Sequence, residues 1–227
     1  FFFFFFIFAS KTMEPLIRLL AAKLMDWIYH QQGVSPKRGE LPQLPSWQVV
    51  PYPPISRWSH WKAVCFDPPS KVFTDPFTHT PLYLGSSFNA ADSKWLRQRN
   101  VWHIVNVSQS IPNLHVGVKY YRVSVRDVAG ARLFFNTGHA YDVIKFIHEQ
   151  LCNKCPVLVH CWAGSSRSAS VVLLYLLWRR HFSNLIEAYD ALSRQRNMVA
   201  VNRDFLHKLD FYVKTMHLYT HQLSKTY

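Results

Sequence analysis

The sequence predicts an α/β fold: a central, mostly parallel sheet flanked by helices, behind a helical and irregular N-terminal extension. Three observations predict it. Short apolar runs of strand length alternate with longer stretches in which apolar residues recur at helical spacing. The apolar run Val157 to Val159 leads through a tight loop directly into one such stretch, residues 167–180, with Val171, Val172, Leu174, Tyr175, Leu177 and Trp178 on its apolar side. The alternation begins only near Val72, after a segment rich in Pro and Trp.

Taken in order, the chain opens on six Phe without a Met. Residues 1–9 are too short to cross a bilayer, which takes about 20 apolar residues. They also lack the basic start of a signal peptide. A translated upstream repeat, with Met13 as the true start, is the expectation. Residues 14–29 read as an amphipathic helix carrying Leu16, Leu19, Leu20, Leu24, Trp27 and Ile28, with Gly33 beyond its end. Glu14 and Asp26 offset Arg18 and Lys23, which favours a helix packed on the domain, or a weakly ordered one, over one lying on a membrane or a partner. Residues 35–69 show no sustained period and read as an irregular arm. The extension is thus residues 1–71 and the folded domain residues 72–220.

Within the domain, residues 81–86 read as a strand and turn, with Ser87 as N-cap of a helix bearing Ala90, Ala91, Trp95 and Leu96. Residues 101–108 and 120–125 read as strands, the second running into Arg126-Asp127. A helix follows over residues 139–151. Cys152-Asn153-Lys154-Cys155 is a lone CxxC and reads as the end of that helix, because no second ligand pair stands at zinc spacing. Ser183 or Asn184 caps a helix with Leu185, Ile186, Ala188, Tyr189 and Leu192. Asn202 opens the last helix as N-cap, with Phe205 in the core.

Charge and cysteine count narrow the function classes. Lys and Arg number 26 against 13 Asp and Glu, a formal net charge of +13. The excess is spread along the chain without a long basic block. That points to an anionic substrate and argues against a nucleic-acid arm. Four Cys in 227 residues do not make a disulfide scaffold. A reducing compartment, cytosol or nucleus, is expected.

The chemistry concentrates in His160-Cys161-Trp162-Ala163-Gly164-Ser165-Ser166-Arg167-Ser168. A loop ending at a helix N-terminus turns backbone N–H groups inward, and the helix dipole adds positive potential. Such a cup binds a phosphate dianion. Gly164 permits the tight turn, and Arg167 offers a two-pronged guanidinium to phosphate oxygens. The same field favours thiolate at Cys161 and positions it to attack phosphorus.

The pattern His-Cys, five residues, Arg, Ser resembles the signature of the cysteine-dependent protein tyrosine phosphatases, and its Ala163-Gly164 and Ser166-Arg167-Ser168 elements resemble the dual-specificity branch. The resemblance extends over about residues 72–218. It implies a tyrosine-phosphatase-like fold and a reaction that needs no metal or cofactor. It implies Cys161 as nucleophile and Arg167 as phosphate ligand. Asp127, 34 positions before the Cys, is implied as general acid. Ser168 would hydrogen-bond the departing thiolate, and His160 would help hold the loop. Trp162, Ala163, Gly164, Ser165 and Ser166 would bind substrate through backbone N–H groups. Where relatives often carry a further acidic residue after the acid, this chain reads Val128-Ala129-Gly130.

Three functions stay open at this point. One is a protein phosphatase whose partner is a phosphoprotein. The second applies the same chemistry to a phosphoinositide, a nucleotide or an RNA 5′ phosphate. The third is a non-catalytic phosphate-binding module. Phosphoinositide-directed relatives often place Lys or Arg inside the loop, and the five residues here include neither, so the resemblance favours protein over lipid. Peroxide is expected to oxidise Cys161 without a disulfide to Cys155, because the intervening extended strand separates their α-carbons by roughly 20 Å.

Overall fold

The computed structural model describes residues 57–223 except 129 and 135. The Phe run, the helix expected over residues 14–29 and most of the arm lie outside the described residues. The described elements run α1 (Arg57–Phe66), β1 (Ser70–Thr74), β2 (Pro81–Gly85), α2 (Ser87–Ala91), α3 (Ser93–Gln98), β3 (His103–Asn106), β4 (Lys119–Arg122), α4 (Thr137–Cys152), β5 (Val157–His160), α5 (Arg167–Trp178), α6 (Leu185–Gln195) and α7 (Arg203–Leu223).

The five strands form one sheet in the order β1-β2-β5-β3-β4. Only β1–β2 is antiparallel; β2, β5, β3 and β4 run parallel. Parallel neighbours need helical crossovers, which cover both faces and demand apolar strands. β5 fits, since Val157, Leu158, Val159 and His160 are all buried. Register sorts the two faces. Tyr83, Leu158, Ile104 and Tyr120 lie in one row across the sheet. That row packs with Ala90, Trp95, Leu96 and Val101. The adjacent row, Leu84, Val159, Val105 and Tyr121, points the other way, where the Tyr121 ring meets Phe146 of α4 at 5.5 Å. Helix α5 is buried from Arg167 through Leu177, as the apolar run from Val171 onward requires of its later turns.

Several boundaries differ from the sequence reading. Residues 57–66, read as irregular, form α1; its mix of Trp, His, Lys and Arg hides any apolar period. The N-cap of α2 is Ser86, not Ser87: the Ser86 hydroxyl and the Asn89 amide oxygen each accept from the other residue's backbone N–H. The strands expected over residues 101–108 and 120–125 shorten to β3 and β4. Val107 and Val125 stay buried beyond them as loop. α4 begins at an Asn136 cap, and Asn184, not Ser183, caps α6. Cys152 ends α4 as expected, followed by Lys154 at φ 59°.

Candidate active site

β5 is the middle strand, and its last residue His160 is aligned with Gly85 of β2 and Asn106 of β3. Three strands therefore end together at their carboxyl edge, and the loop from Cys161 to Ser166 rises from that edge into α5. This is where open α/β sheets place ligands.

The loop's carbonyls share one arrangement. Cys161 O accepts from His160 Nδ1 at 3.2 Å. Trp162 O accepts from the Ser87 N–H at 3.0 Å and its hydroxyl at 3.2 Å. Ala163 O and Gly164 O accept from Arg196, through Nη2 at 3.2 Å and Nε at 2.8 Å. Ser165 O accepts from the Ala200 N–H at 2.9 Å, and Ser166 O from the N–H and hydroxyl of Ser170. Six consecutive carbonyls are thus held by named donors. A peptide plane that turns its C=O toward an outer support turns its N–H the other way, toward the cup. Gly164 makes the turn at φ 73°, and a β-carbon there would meet Gly85 O at 2.4 Å.

The helix end itself is left open. Ser166 is the N-cap residue of α5 and makes no side-chain cap. Its hydroxyl instead donates to Asp127 Oδ1 at 2.9 Å and accepts from the Asn202 N–H at 3.1 Å. No side chain of the N-cap therefore covers the first N–H groups of α5, and the Ser168 N–H is turned instead to Cys161, the arrangement an anion at a helix N-terminus uses.

Cys161 is buried at the base of the cup, where Sγ accepts from the Gly164 N–H at 3.3 Å and the Ser168 hydroxyl at 3.2 Å. Burial pushes the thiol up, but the Arg167 guanidinium and the hydrogen bonds from Ser168 and Gly164 outweigh it. The thiol lies below its ordinary value. His160 is fully buried, and burial lowers it to about 4, so it is neutral and its Nδ1 carries the proton given to Cys161 O.

Arg167 is buried as well. Its Nη1 donates to Val125 O at 3.4 Å, and Nε finds no hydrogen-bond acceptor among the described residues. The Nε lies 3.5 Å from Asp127 Oδ2. A buried guanidinium with an uncommitted donor suits a site built for an oxyanion. Asp127 stands on an exposed loop, tied to Ser166, Arg167 and the Asn202 side-chain amide, whose Nδ2 reaches Oδ1 at 3.4 Å and Val128 O at 3.2 Å.

The residues named from sequence thus come together: Cys161, Gly164, Arg167 and Ser168 around the sulfur, Asp127 beside Arg167, and Ala163, Ser165 and Ser166 in the loop wall. Trp162 is half-buried, its ring 5.8 Å from that of Phe88. Four contributors were missed. Ser87, Ala200 and Arg196 support the loop from behind, and Asn202 links Asp127 to Ser166. For Arg196 the only sequence signal is its place at a helix end before the apolar run Met198 to Val201.

Comparison with known proteins agrees with this architecture. The crystal structure of human DUSP28 is 28% identical, covers 66% of this chain and 97% of its own, and superposes with a TM-score of 0.56. Human dual specificity protein phosphatase 9 is 33% identical over 142 residues, covering 60% of this chain and 35% of its own length. Protein phosphatase Slingshot of Drosophila melanogaster is 32% identical over 147 residues, covering 64% of this chain and 13% of its own. The chain spans little more than a third of the first of these two curated relatives and about an eighth of the second. Residues 82–215 match the family model for the dual specificity phosphatase catalytic domain, a stretch that holds β2 through most of α7 and every residue around the sulfur, and the chain belongs to the dual specificity phosphatase family.

Proposed function

We propose that this chain hydrolyses phosphotyrosine and phosphoserine/threonine in proteins through a phosphocysteine intermediate. The observation that carries the reading is the cup itself: a loop whose six carbonyls all have donors, around a buried thiol held below its ordinary value, beside the buried Arg167 guanidinium, whose Nε faces Asp127 at 3.5 Å without a hydrogen bond.

The Cys161 thiolate attacks phosphorus, forming the S–P bond as the bond to the leaving oxygen breaks. Asp127, as the acid, gives that oxygen its proton. The inward N–H groups and the Arg167 fork hold the three equatorial oxygens, whose charge changes little while the axial bonds exchange. In the second step Asp127, now a carboxylate, takes a proton from water. The water oxygen attacks phosphorus, the S–P bond breaks, and the Ser168 hydroxyl, 3.2 Å from Sγ, stabilises the returning thiolate. His160 acts at one remove as a positioning residue for Cys161 O. A thiolate nucleophile works only where thiols stay reduced, so the cytosol or nucleus is the proposed compartment.

The test is a panel of phosphotyrosine and phosphoserine/threonine peptides, phosphoinositide vesicles and 5′-phosphorylated RNA. Turnover of the peptides by at least tenfold over the others is the expected result. Preferred turnover of lipid or RNA would move the substrate class and keep the chemistry. Failure on every phosphomonoester, with Cys161 intact, would overturn the reading.

A further inference from the structure

Behind the loop, on the side away from the cup, lies a second arginine that the two-step reaction does not use. Arg196 follows α6, is 4% exposed, and has no carboxylate within ion-pair distance among the described residues. A buried guanidinium with no carboxylate in direct contact is costly to keep. Its hydrogen bonds go to Gly164 O and Ala163 O.

We infer that Arg196 is a positioning residue for the proposed phosphatase reaction: it fixes the two central peptides of the anion-binding loop and supplies, from behind, a second buried positive charge for the Cys161 thiolate and the bound oxyanion.

Three independent features support this. The first is geometric. Arg196 Nε bonds Gly164 O while the Gly164 N–H bonds Cys161 Sγ, so two polar contacts link guanidinium to sulfur. The second is steric. Arg196 Nη2 lies 2.8 Å from where a Gly164 β-carbon would stand, with Gly85 O on the same side, so the guanidinium and the β2 end press on one point of the turn. The third is electrostatic. Burial pulls the Arg196 guanidinium down to about 10, and the Cys161 thiolate and then Asp67 pull it back. Arg196 is still cationic at neutral pH, and its strongest described anionic partner is the nucleophile. Coupling is mutual, so the same charge favours the thiolate.

The role continues along the following residues. The Ala200 N–H holds Ser165 O, the Asn202 N–H holds the Ser166 hydroxyl, and the Asn202 side chain reaches the Asp127 loop. Residues 196–202 thus form a strap over the outer side of the loop. Arg196 is its charged end.

The inference rests on the proposed reaction, and its test separates the two. Full-length wild type, Arg196→Met and Arg196→Lys are compared in three measurements: the pH dependence of Cys161 alkylation by iodoacetate, inhibition by orthovanadate, and kcat with KM. Circular dichroism and a thermal melt check folding. In Arg196→Met, alkylation at pH 6 should slow about tenfold, orthovanadate should bind about tenfold more weakly, and kcat should fall more than KM changes. Arg196→Lys keeps the charge but not the fork. It should retain most of the thiol acidity and still lose about fivefold or more in kcat. A folded Met variant with wild-type thiol titration and orthovanadate affinity would reduce Arg196 to a structural residue and overturn the inference. If the Met variant does not fold, Lys decides: wild-type kcat there would overturn the positioning role. A wild type whose Cys161 titrates as an ordinary thiol and ignores orthovanadate would instead defeat the proposed reaction itself.

Discussion

In the loop from Cys161 to Ser166 every backbone carbonyl has a named donor, and every residue is buried or half-buried. In the loop from Arg126 to Gly130, all described residues are exposed, and the hold comes from other parts of the chain: Ser166, Arg167 and Asn202 on Asp127, and Asp204 on the Gly130 N–H. The difference follows the two tasks proposed for these loops. N–H groups that stabilise charge on phosphate are effective only if already aimed, since reorienting them at the moment of reaction would cost what they contribute. A proton donor must reach leaving groups of different shape, so its loop gains from adjustable ties.

Four measurements would break or sharpen that contrast. The largest effect is expected from Cys161→Ser, which leaves both loops in place and replaces a thiolate with a protonated hydroxyl. Turnover should fall by about 10⁴-fold or more while orthophosphate binding and the melting temperature stay near wild type. Residual hydrolysis well above that would move the nucleophile. Next, Asp127→Ala should cut kcat by about 10²- to 10³-fold on phosphotyrosine peptides and by less on aryl phosphates whose leaving group needs no proton. Equal losses on both would place the acid elsewhere.

The third compares one glycine from each loop. Gly164 and Gly130 both have positive φ, 73° and 78°, so alanine is strained at either. Around Gly130 a β-carbon meets nothing within 4 Å, whereas at Gly164 it meets Gly85 O at 2.4 Å. Gly130→Ala should cost about 1 kcal/mol and leave kcat within about threefold. Gly164→Ala should cost about 3 kcal/mol and reduce kcat by tenfold to a hundredfold. Urea unfolding with steady-state kinetics reads both, and similar results would erase the contrast in rigidity.

The smallest effect on turnover at neutral pH comes from His160, whose signature is in acid stability. His160, lowered to about 4 by burial, with Arg122 and Arg167 adding to it, stays neutral in the fold, while the unfolded chain protonates it near 6.5. Between those values the unfolded state binds more protons. The contribution is therefore complete above pH 6.5 and lost as pH falls toward 4, by up to about 3 kcal/mol. Burial also lowers His103 and His148, which steepens the same limb, and Asp75 titrates below 3.8, outside the window. His160→Asn should flatten the pH 4 to 6.5 limb of the unfolding free energy. An unchanged slope would mean His160 does not contribute.

The fold was legible where pattern alone decides it. The β5–loop–α5 unit combines a fully buried strand with a fully buried helix, and the crossovers force parallel neighbours. Around the sulfur, Cys161, Gly164 and Arg167 share one short segment, so spacing sufficed; Ser168 and Asp127 needed the resemblance as well. Ser87, Arg196 and Ala200 were not legible, because each meets the loop across 32 to 75 residues through a topology the sequence does not spell out. Ala200 acts through a backbone N–H that any residue but Pro offers, so its side chain carries no signal. The Ser86-Ser87 pair was misread by one position, since either serine fits a cap and only the Asn89 amide decides between them.

The strand that leads into Cys161 is the central one, paired on both sides, whereas β4 is an edge with one neighbour among the described strands. Amide hydrogens in such a centre exchange with solvent only when the whole domain opens, while edge amides exchange through small local excursions. Hydrogen–deuterium exchange along β5 should therefore report the global unfolding free energy directly, and β4 should lose protection first. The base of the cup is then the last part of the molecule to give way: a chain already frayed at its β4 edge would still hold Cys161 on an intact strand.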